Sequence, residues 1–393
     1  MSGPAIRARG TGALSYSATL PTEAAQRATT APAAESRSIH SAHAVALEIV
    51  SLTGDDLSAW QAYVSVHPEG TLFHEPAWRD AVAATYGHPT HEFLAKRGGR
   101  VCGALSLVQV RSPFGGRVLV SAPYGVYGGP LADDTAAQQA LNRAAEALAE
   151  RIGAGMVEYR AMHSPAPPGD GWRDVEGYAT FRRMLPERAD DVAGWLPRKA
   201  RAAARRAEER NDLRVSFDAN DLDAVWELYA RNMRRLGSIN YPRRLFRELV
   251  ERLPDRCLVQ VIRTGARPVA GLLTLRWGDV AMPYFVGVDE RCSVYGLNNY
   301  LYYGAMRRAI EWGCRWFDFG RSRLANSGAV NFKRFHGFEP QSLAYRRFTP
   351  AGGREPEWSP TSGRFRWGRR LWPWLPLSVT RPLGVLLSRY IPG

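Results

Sequence analysis

Apolar positions along this chain alternate between strand spacing and helix spacing, and one order of elements occurs twice. VALEIVSL (45–52) and LRVSFD (213–218) each predict an opening strand, and two helical stretches follow each of them. A hairpin pattern comes next in both halves. RGGRVCGALSLVQV (97–110) and RTGARPVAGLLTLRW (263–277) each contain a strand, a glycine-bearing turn and a second, β-rich strand.

Each hairpin is followed by Pro-Tyr-x-Val, a helix with one apolar stripe, and a short strand that carries one acid. The stripe residues recur at helical spacing: Ala137, Leu141, Ala145, Leu148 and Ile152 in the first copy, and Leu301, Ala305, Ala309 and Trp312 in the second. The distance from proline to acid is 35 residues in both copies, from Pro123 to Glu158 and from Pro283 to Asp318. ATFRRML (179–185) then matches LAYRRF (343–348). The shared order and spacing predict an internal duplication.

The mixture of strands and helices predicts an α/β (α+β) fold with two tandem lobes, each a mostly antiparallel twisted sheet flanked by helices. We divide the chain into five segments by composition and pattern. They are a disordered extension at 1–44, a first lobe at 45–185, a basic connecting helix at 186–214, a second lobe at 215–349, and a basic, Trp/Pro-rich tail at 350–393.

Charge narrows the class of partner. Lys and Arg number 52 against 38 Asp and Glu, so the formal net charge is +14. Such a field favours anionic partners, among them phosphates, nucleotides, nucleic acid and acidic lipid head groups; a generally basic protein is the alternative. The four widely spaced cysteines show no zinc-ligand spacing and suit a reducing compartment. There is no apolar run of transmembrane length and no secretory h-region, so we expect a cytoplasmic protein. We also expect no bound metal, because the cysteines lack zinc-ligand spacing.

Four motifs resemble one family. They are FHEPAW (73–78), PYGVYGGPLAD (123–133), LPRKARAAARRAEE (196–209) and FDFGRSRLANSGAVNFKRFHGFEP (317–340). Together they resemble FemAB-like proteins, whose two lobes each have a GNAT-type acyltransferase fold. The likeness covers about 45–349 and is nearest to the branch associated with exosortase/PEP-CTERM systems and exopolysaccharide loci.

The resemblance implies N-acyl or aminoacyl transfer to an amine of a cell-envelope or exopolysaccharide precursor. It implies no bound cofactor, and acyl-CoA or aminoacyl-tRNA as co-substrate. Two features depart from the family pattern. Only one basic helix stands where relatives carry a long helical hairpin that engages tRNA, and the acyl-CoA loop Q/R-x-x-G-x-G/A is missing before Asn298. The expected acceptor is an anionic small molecule or a lipid-linked saccharide.

Asp318 and Tyr284 are the candidate catalytic residues. Acyl transfer requires that the amine lose a proton and that donors stabilise the oxyanion. Asp318, at a strand end beside aromatic residues, is either a desolvated general base or the ion-pair partner of Arg321 or Arg323. The Tyr284 hydroxyl either stabilises an oxyanion or protonates a leaving group, or Tyr284 is a packing residue.

The densest polar group after a strand of the second lobe predicts an anion clamp. It consists of Arg321, Ser322, Lys333 and Arg334 around a loop of small residues, and a solvated basic face is the alternative. Further candidates for substrate binding each have a structural alternative: Asn298, Asn299, Tyr303, Tyr124 and His74. The two asparagines can form an N-cap pair, Tyr124 lies in a tight glycine turn, and His74 can be a hydrogen-bonded loop residue.

Two basic segments suggest competing functions. Positive charge on several faces of the 198–210 helix can bind nucleic acid, although it lacks interleaved aromatic residues; a solvated linker is the alternative. The last 27 residues, 367–393, either contact the inner face of an anionic membrane or dock on the second lobe. A non-catalytic scaffold of polysaccharide or protein-sorting machinery, or an RNA-binding protein, therefore stands as the alternative to a transferase.

Overall fold

The computed structural model describes residues 46–112, 116–163, 169, 171–353, 368–391 and 393. The extension predicted at 1–44 lies outside the described residues, as do residues 354–367 of the predicted tail. No helix in the described ranges is long and apolar enough to cross a membrane.

The first copy contains the predicted strand, two helices, hairpin, strand, helix and strand. Its elements are β1 (Leu47–Ser51), α1 (Leu57–Val66), α2 (Pro76–Tyr86), β2 (Thr90–Arg97), β3 (Arg100–Ser112), β4 (Gly116–Val120), β5 (Leu131–Ala132), α3 (Thr135–Ile152) and β6 (Ala154–Ala161). Three short strands and two helices then lead to the second copy: β7 (Trp172–Asp174), β8 (Tyr178–Thr180), β9 (Arg182–Met184), α4 (Val192–Trp195) and α5 (Arg198–Arg210).

The second copy repeats that order, which confirms the predicted sequence of elements. Its elements are β10 (Leu213–Ser216), α6 (Leu222–Arg235), α7 (Arg243–Arg252), β11 (Cys257–Thr264), β12 (Arg267–Trp277), β13 (Val280–Val288), α8 (Leu297–Glu311) and β14 (Trp316–Asp318). The remaining elements are β15 (Ser322–Arg323), α9 (Ser327–Phe335), β16 (Gln341–Ser342), β17 (Ala344–Phe348) and α10 (Leu377–Ser388).

The two large sheets exchange strands. The first has the order β1-β2-β3-β4-β6-β17-β7, with β5 on β3, and the second has the order β10-β11-β12-β13-β14-β9. Thus β17, from the end of the second copy, pairs with β6, while β9, from the end of the first copy, pairs with β14. A small third sheet, β15-β8-β16, also joins both copies. The boundary placed at residue 185 from the sequence therefore does not coincide with the division between the sheets.

Most strand pairs are antiparallel, and each large sheet contains one parallel pair, β4 with β6 and β13 with β14. Both predicted hairpins are present as β2–β3 and β11–β12. These arrangements confirm the predicted tandem lobes, each with a mostly antiparallel sheet flanked by helices.

Glycine permits one close helix–sheet contact. A Cβ added to Gly287 on β13 would lie 2.1 Å from the backbone carbonyl carbon of Leu228 on α6, a separation that real Cβ atoms do not show. Any larger residue would push α6 off the second sheet, because the obstacle is backbone and cannot rotate away.

The largest hydrophobic cluster belongs to both lobes. Phe73, Trp78 and Tyr124 of the first lobe are buried in the same cluster as Phe246 and Phe285 of the second. Because the two lobes share this cluster, the faces that meet around it are held as one packed interior.

Candidate functional site between the lobes

Asp318 is the last residue of β14, at the point where that strand leaves its neighbour. β14 pairs with β13 at two positions only, Val280 with Trp316 and Ala281 with Phe317. Among the described strands, β13 pairs only with β12 beyond these two positions, and the register of that pairing shifts between Leu273 and Thr274. The predicted strand-end acid therefore lies where the sheet opens, as the sequence pattern indicated.

Four groups hold the Asp318 carboxylate, which is 1% exposed. The Tyr127 hydroxyl donates to Oδ2 at 2.7 Å, and the Thr180 hydroxyl donates to Oδ1 at 3.1 Å. The backbone N–H of Gly320 donates to Oδ1 at 2.7 Å. Arg182 Nε lies 3.4 Å from Oδ2 and forms an ion pair with it. The partner of Asp318 is thus Arg182 of the exchanged strand β9, rather than Arg321 or Arg323 as considered from the sequence.

Burial raises the pKa of Asp318 above its ordinary value. The positive charge of Arg182 and the hydrogen bonds from Tyr127, Gly320 and Thr180 oppose this rise without cancelling it. A buried carboxyl group whose pKa is raised is a better proton acceptor near neutral pH than an ordinary surface aspartate.

Asp318, Tyr127 and Arg182 line a cavity of about 270 Å³ between the lobes, hereafter the Asp318 cavity. Its first-lobe wall is the segment 67–73, and its second-lobe wall includes 275–280 from β12, β13 and their turn. Burial also raises the pKa of Glu69, which lies in the first of these walls, while His163 and His67 act against that rise. The cavity therefore brings acidic and basic groups from both lobes to one space.

A second cavity of about 250 Å³, hereafter the Arg321 cavity, shares the side chain of Met282 with the first. Tyr124, Tyr284 and Arg321 line it, and all three are residues that the sequence pattern singled out. The Tyr284 hydroxyl donates to the backbone carbonyl of Tyr124, which joins β13 to the first lobe. Two cavities that have a lining residue in common suit a reaction that brings two substrates together.

Arg321 lies against aromatic rings at the edge of its cavity. Its guanidinium carbon is 5.2 Å from the ring centre of Tyr178 and 5.7 Å from that of Tyr345. These cation–π contacts hold the guanidinium group beside the two rings.

The first-lobe acid Glu158 is also buried and bound by arginine. Arg160 Nε lies 2.9 Å from Glu158 Oε1, and Arg347 of the exchanged strand β17 lies 2.6 Å from Oε2. Burial alone would raise the pKa of Glu158, but the two guanidinium groups hold it below its ordinary value. The two duplicated acids therefore differ in their pKa. The arginines hold the pKa of Glu158 below its ordinary value, whereas burial holds the pKa of Asp318 above its own.

Lys333 supports the turn between the two cavities. Its ammonium group donates to the carbonyl of Gly320 at 2.7 Å and to that of Arg321 at 3.4 Å. Gly320 has a left-handed φ of 64°, which glycine adopts without strain. Burial lowers the pKa of Lys333 to about 7, although the charge of Asp318 acts in the opposite direction. Lys333 thus contacts the backbone of the predicted clamp, and its ammonium group points inward.

The other members of the predicted clamp are dispersed. Ser322 is buried in β15 beside Ala179 of β8. Arg334 is exposed and forms an ion pair with Glu339 at 3.3 Å. Of the four predicted residues, only Arg321 lines one of the two cavities described here.

Helix α8 begins at Leu297 after Gly296, so neither Asn298 nor Asn299 is the N-cap residue. Asn298 is exposed, and Asn299 lies 3.2 Å from His336 Nε2. Tyr303 is half-buried beneath Arg307. None of these three α8 residues is among those that line the two cavities.

His74 is buried and closes a capping box with Thr71, whose hydroxyl is 2.8 Å from its Nδ1. Burial lowers the pKa of His74 to about 4, which keeps the imidazole neutral near pH 7. This placement favours the alternative stated above, a hydrogen-bonded loop residue.

Two important residues did not emerge from the sequence as site residues. Thr180 and Arg182 belong to ATFRRML (179–185), which the sequence marks only as the repeat match of LAYRRF (343–348). The repeat match could have pointed to these two residues, because duplicated lobes can exchange a strand that occurs at the end of each copy.

The starts of α3 and α8 do not fit a pyrophosphate group, which needs a cluster of open backbone N–H groups. The carboxylate of Asp134 caps α3 by accepting from the N–H of Ala137. At α8 the backbone of α5 lies against Gly296, where an added Cβ would be 2.2 Å from the carbonyl oxygen of Ala203. Within the described ranges, no three His, Cys, Asp or Glu residues are placed to hold a metal ion.

Comparison with known proteins places this geometry in a fold family. Residues 197–334 match the acetyltransferase (GNAT) domain. The crystal structure of FemX superposes with a TM-score of 0.60 at 15% identity, covering 77% of this chain and 97% of FemX. A conserved protein of unknown function from Bacteroides thetaiotaomicron superposes with a TM-score of 0.54 at 12% identity, covering 77% of this chain and all of that one (100%). No curated protein sequence matches this chain.

At these identities the structural likenesses show the fold alone. Together with the domain match, they agree with the tandem GNAT-like lobes described above. The chain therefore has a tandem GNAT-like fold, and its residues 197–334 are similar to the acetyltransferase (GNAT) domain.

Proposed function

We propose that this protein transfers an acyl or aminoacyl group to an amine of a cell-envelope or exopolysaccharide precursor. The observation that carries the proposal is the buried Asp318 carboxylate, which lines a cavity between the lobes and is bound by groups from both copies. The FemX-like fold and the resemblance of 317–340 to the exosortase/PEP-CTERM branch support this choice of acceptor.

Asp318 is the proposed proton acceptor. The amine nitrogen attacks the acyl carbonyl carbon, its proton passes to an Asp318 oxygen, and the bond to the leaving group breaks as the carbonyl re-forms. The raised pKa of Asp318 brings its basicity closer to that needed near neutral pH. Tyr127 and Gly320 fix the direction of the carboxylate, because each donates to one of its oxygens.

Tyr284 is proposed to act on the donor side of the reaction. Its hydroxyl lies in the Arg321 cavity but already donates to the Tyr124 carbonyl. To stabilise an oxyanion, that hydroxyl must exchange its backbone acceptor for the substrate oxygen. Substrate binding is therefore expected to alter the contact between β13 and the 123–127 loop.

Arg321 is proposed to bind the anionic part of the donor or acceptor. The starts of α3 and α8 do not offer an open phosphate site, and Arg321 presents a guanidinium group to the second cavity. The donor is either acyl-CoA, the co-substrate of GNAT acyltransferases, or an aminoacyl-tRNA.

The test combines ligand binding with transfer. Purified protein is screened by thermal unfolding against acyl-CoAs, aminoacyl-tRNAs and amino-sugar nucleotides, because a bound ligand raises the unfolding temperature. Transfer is then assayed with the stabilising pair. Asp318→Asn is expected to lower the rate by about 10²- to 10⁴-fold, while the exposed control Asp212→Asn leaves it unchanged.

Two results would overturn the proposal. An undiminished rate in Asp318→Asn, with wild-type unfolding behaviour, removes Asp318 as the base. The absence of stabilisation by any donor, in protein that is folded and monodisperse, removes transfer itself and leaves the scaffold alternative.

A further inference from the structure

The fully buried positions of helix α10 are small residues, whereas two of its aliphatic side chains are exposed and the other four are half-buried. Thr380, Gly384 and Ser388, which recur every four residues, are its buried positions. On another side Val379 is 43% exposed and Leu386 is 55% exposed. An ordinary surface helix does the reverse and buries its large apolar side chains.

The inward face fits the protein closely, which explains this orientation. A Cβ added to Gly384 would lie 2.3 Å from Oδ1 of Asn240. Ser388 lies 3.3 Å from the Tyr86 hydroxyl and accepts a hydrogen bond from Tyr124 through its carbonyl at 3.0 Å. Rotation of α10 to bury Leu386 would break these contacts.

The segment before α10 also exposes large apolar side chains. Trp372 is buried, but Trp374, two residues later, is 84% exposed, and Leu371 is also exposed. Arg234 of α6 donates to the Leu375 carbonyl at 2.6 Å, which fixes this stretch on the second lobe. A tryptophan so exposed on a fixed segment is typical of a surface that meets another apolar medium.

Two arginines lie next to this apolar stretch in the chain. Arg369 and Arg370 are exposed just before Leu371, and residues 368–393 contain no acidic residue. The carbonyl of Arg369 lies against Gly237, next to the exposed Leu236 at the end of α6. The nearby acids are engaged: Glu227 pairs with Arg381, and Glu290 lies 4.0 Å from Arg235.

We propose that this surface, formed by Leu371, Trp374, Val379 and Leu386 with Arg369 and Arg370, docks on an anionic phospholipid bilayer. Trp and Leu side chains enter the interface while arginines meet lipid phosphates, as in interfacial helices. Tyr124 lines the Arg321 cavity and also bonds to Ser388 on the inner side of α10. Docking would therefore place that cavity about 10 Å from the lipid, the thickness of one helix.

The test is co-sedimentation of the full chain with vesicles of phosphatidylcholine, with and without phosphatidylglycerol. Wild-type protein is expected to bind only the vesicles containing phosphatidylglycerol, and to release as salt rises. The double variant Trp374→Ser/Leu386→Ser and the double variant Arg369→Glu/Arg370→Glu are each expected to lose about tenfold or more in affinity. Val66→Ser is the matched control, because Val66 is 79% exposed in the first lobe and outside this surface.

The variants alter exposed side chains, so thermal unfolding should match that of the wild type and separate lost binding from lost structure. Equal binding by Trp374→Ser/Leu386→Ser and wild type would overturn the proposal. Failure of the wild type to bind either vesicle would do so as well, as would lipid-free self-association that the same double variant abolishes. None of these outcomes depends on catalysis, so the proposal stands or falls separately from the transferase assignment.

Discussion

The hydroxyl of Tyr127, in the first lobe, donates a hydrogen bond of 2.7 Å to the carboxylate of Asp318, in the second. Both groups are buried, and the bond spans the space between the two sheets. The ionised form of Asp318 is therefore stabilised by a residue of the other copy. A second lobe isolated from the first would lack this donor, so the proposed proton acceptor is a property of the pair of lobes.

Replacement of Tyr127 by Phe is expected to shift the pH dependence of transfer. The hydroxyl stabilises the Asp318 carboxylate, so its loss raises the pKa of Asp318 further. A hydrogen bond to a charged group corresponds to about 1 to 2 pH units. The acidic limb of the rate profile should move to higher pH by that amount, with a smaller change on the alkaline plateau.

Tyr63→Phe is the control for that experiment. It also removes a tyrosine hydroxyl that donates to an aspartate, since Tyr63 lies 2.9 Å from Asp133, but it is outside both cavities. An acidic limb that stays in place in Tyr127→Phe would contradict the assignment of Asp318 as the base.

Replacement of Glu158 by Gln is expected to destabilise the fold. The carboxylate forms ion pairs with both Arg160 and Arg347, and the substitution removes its negative charge from beside the two guanidinium groups. Breaking such a buried pair costs about 3–5 kcal/mol of unfolding free energy. Glu209→Gln, which disrupts the exposed pair with Arg205, should change it by less than about 0.5 kcal/mol.

Glu158→Gln and the wild type also test how the stability of the fold depends on pH. Because the pKa of Glu158 is lower in the folded state, its stabilisation is present above the ordinary value of 4.5 and is lost as the pH falls through the folded-state pKa. Denaturant unfolding of Glu158→Gln should therefore lose less stability on acidification than the wild type does. Parallel curves for the two proteins would refute this account.

Replacement of Lys333 by Met is expected to change how the free energy of unfolding depends on pH between the folded-state pKa of about 7 and the ordinary value of 10.5. The folded-state pKa of Lys333 is about 7 against an ordinary 10.5, so between these values the unfolded chain binds a proton that the folded chain lacks. Wild-type stability should therefore rise with pH relative to Lys333→Met, by up to about 1.4 kcal/mol per pH unit.

Urea unfolding at several pH values between 7 and 10 (roughly the window set by the shift) measures that difference. Lys199→Met, at an exposed position of α5, is the control for the general effect of replacing a lysine by methionine. A constant difference for Lys333→Met would show that the Lys333 amine is as basic in the folded protein as in the unfolded chain.

Much of the fold could be predicted from the sequence because local patterns specify it. The apolar spacing, the glycine turns of the hairpins and the proline-to-acid distance of 35 residues depend only on neighbours along the chain. They sufficed to predict the order of elements in both copies and the position of Asp318 at a strand end. Arg321, Tyr124 and Tyr284 were singled out for the same reason, since each stands beside a strand or turn signal.

Tertiary structure alone decided which groups meet. Arg182 reaches Asp318, and Arg347 reaches Glu158, because β9 and β17 pair with the sheet of the other copy. Such pairing is chosen by long-range register and by packing of the shared core, which no local spacing encodes. The outward face of α10 was decided in the same way. The close fit of Gly384 against Asn240 sets which side of the helix faces the protein, and Leu386 lies on another side and is exposed.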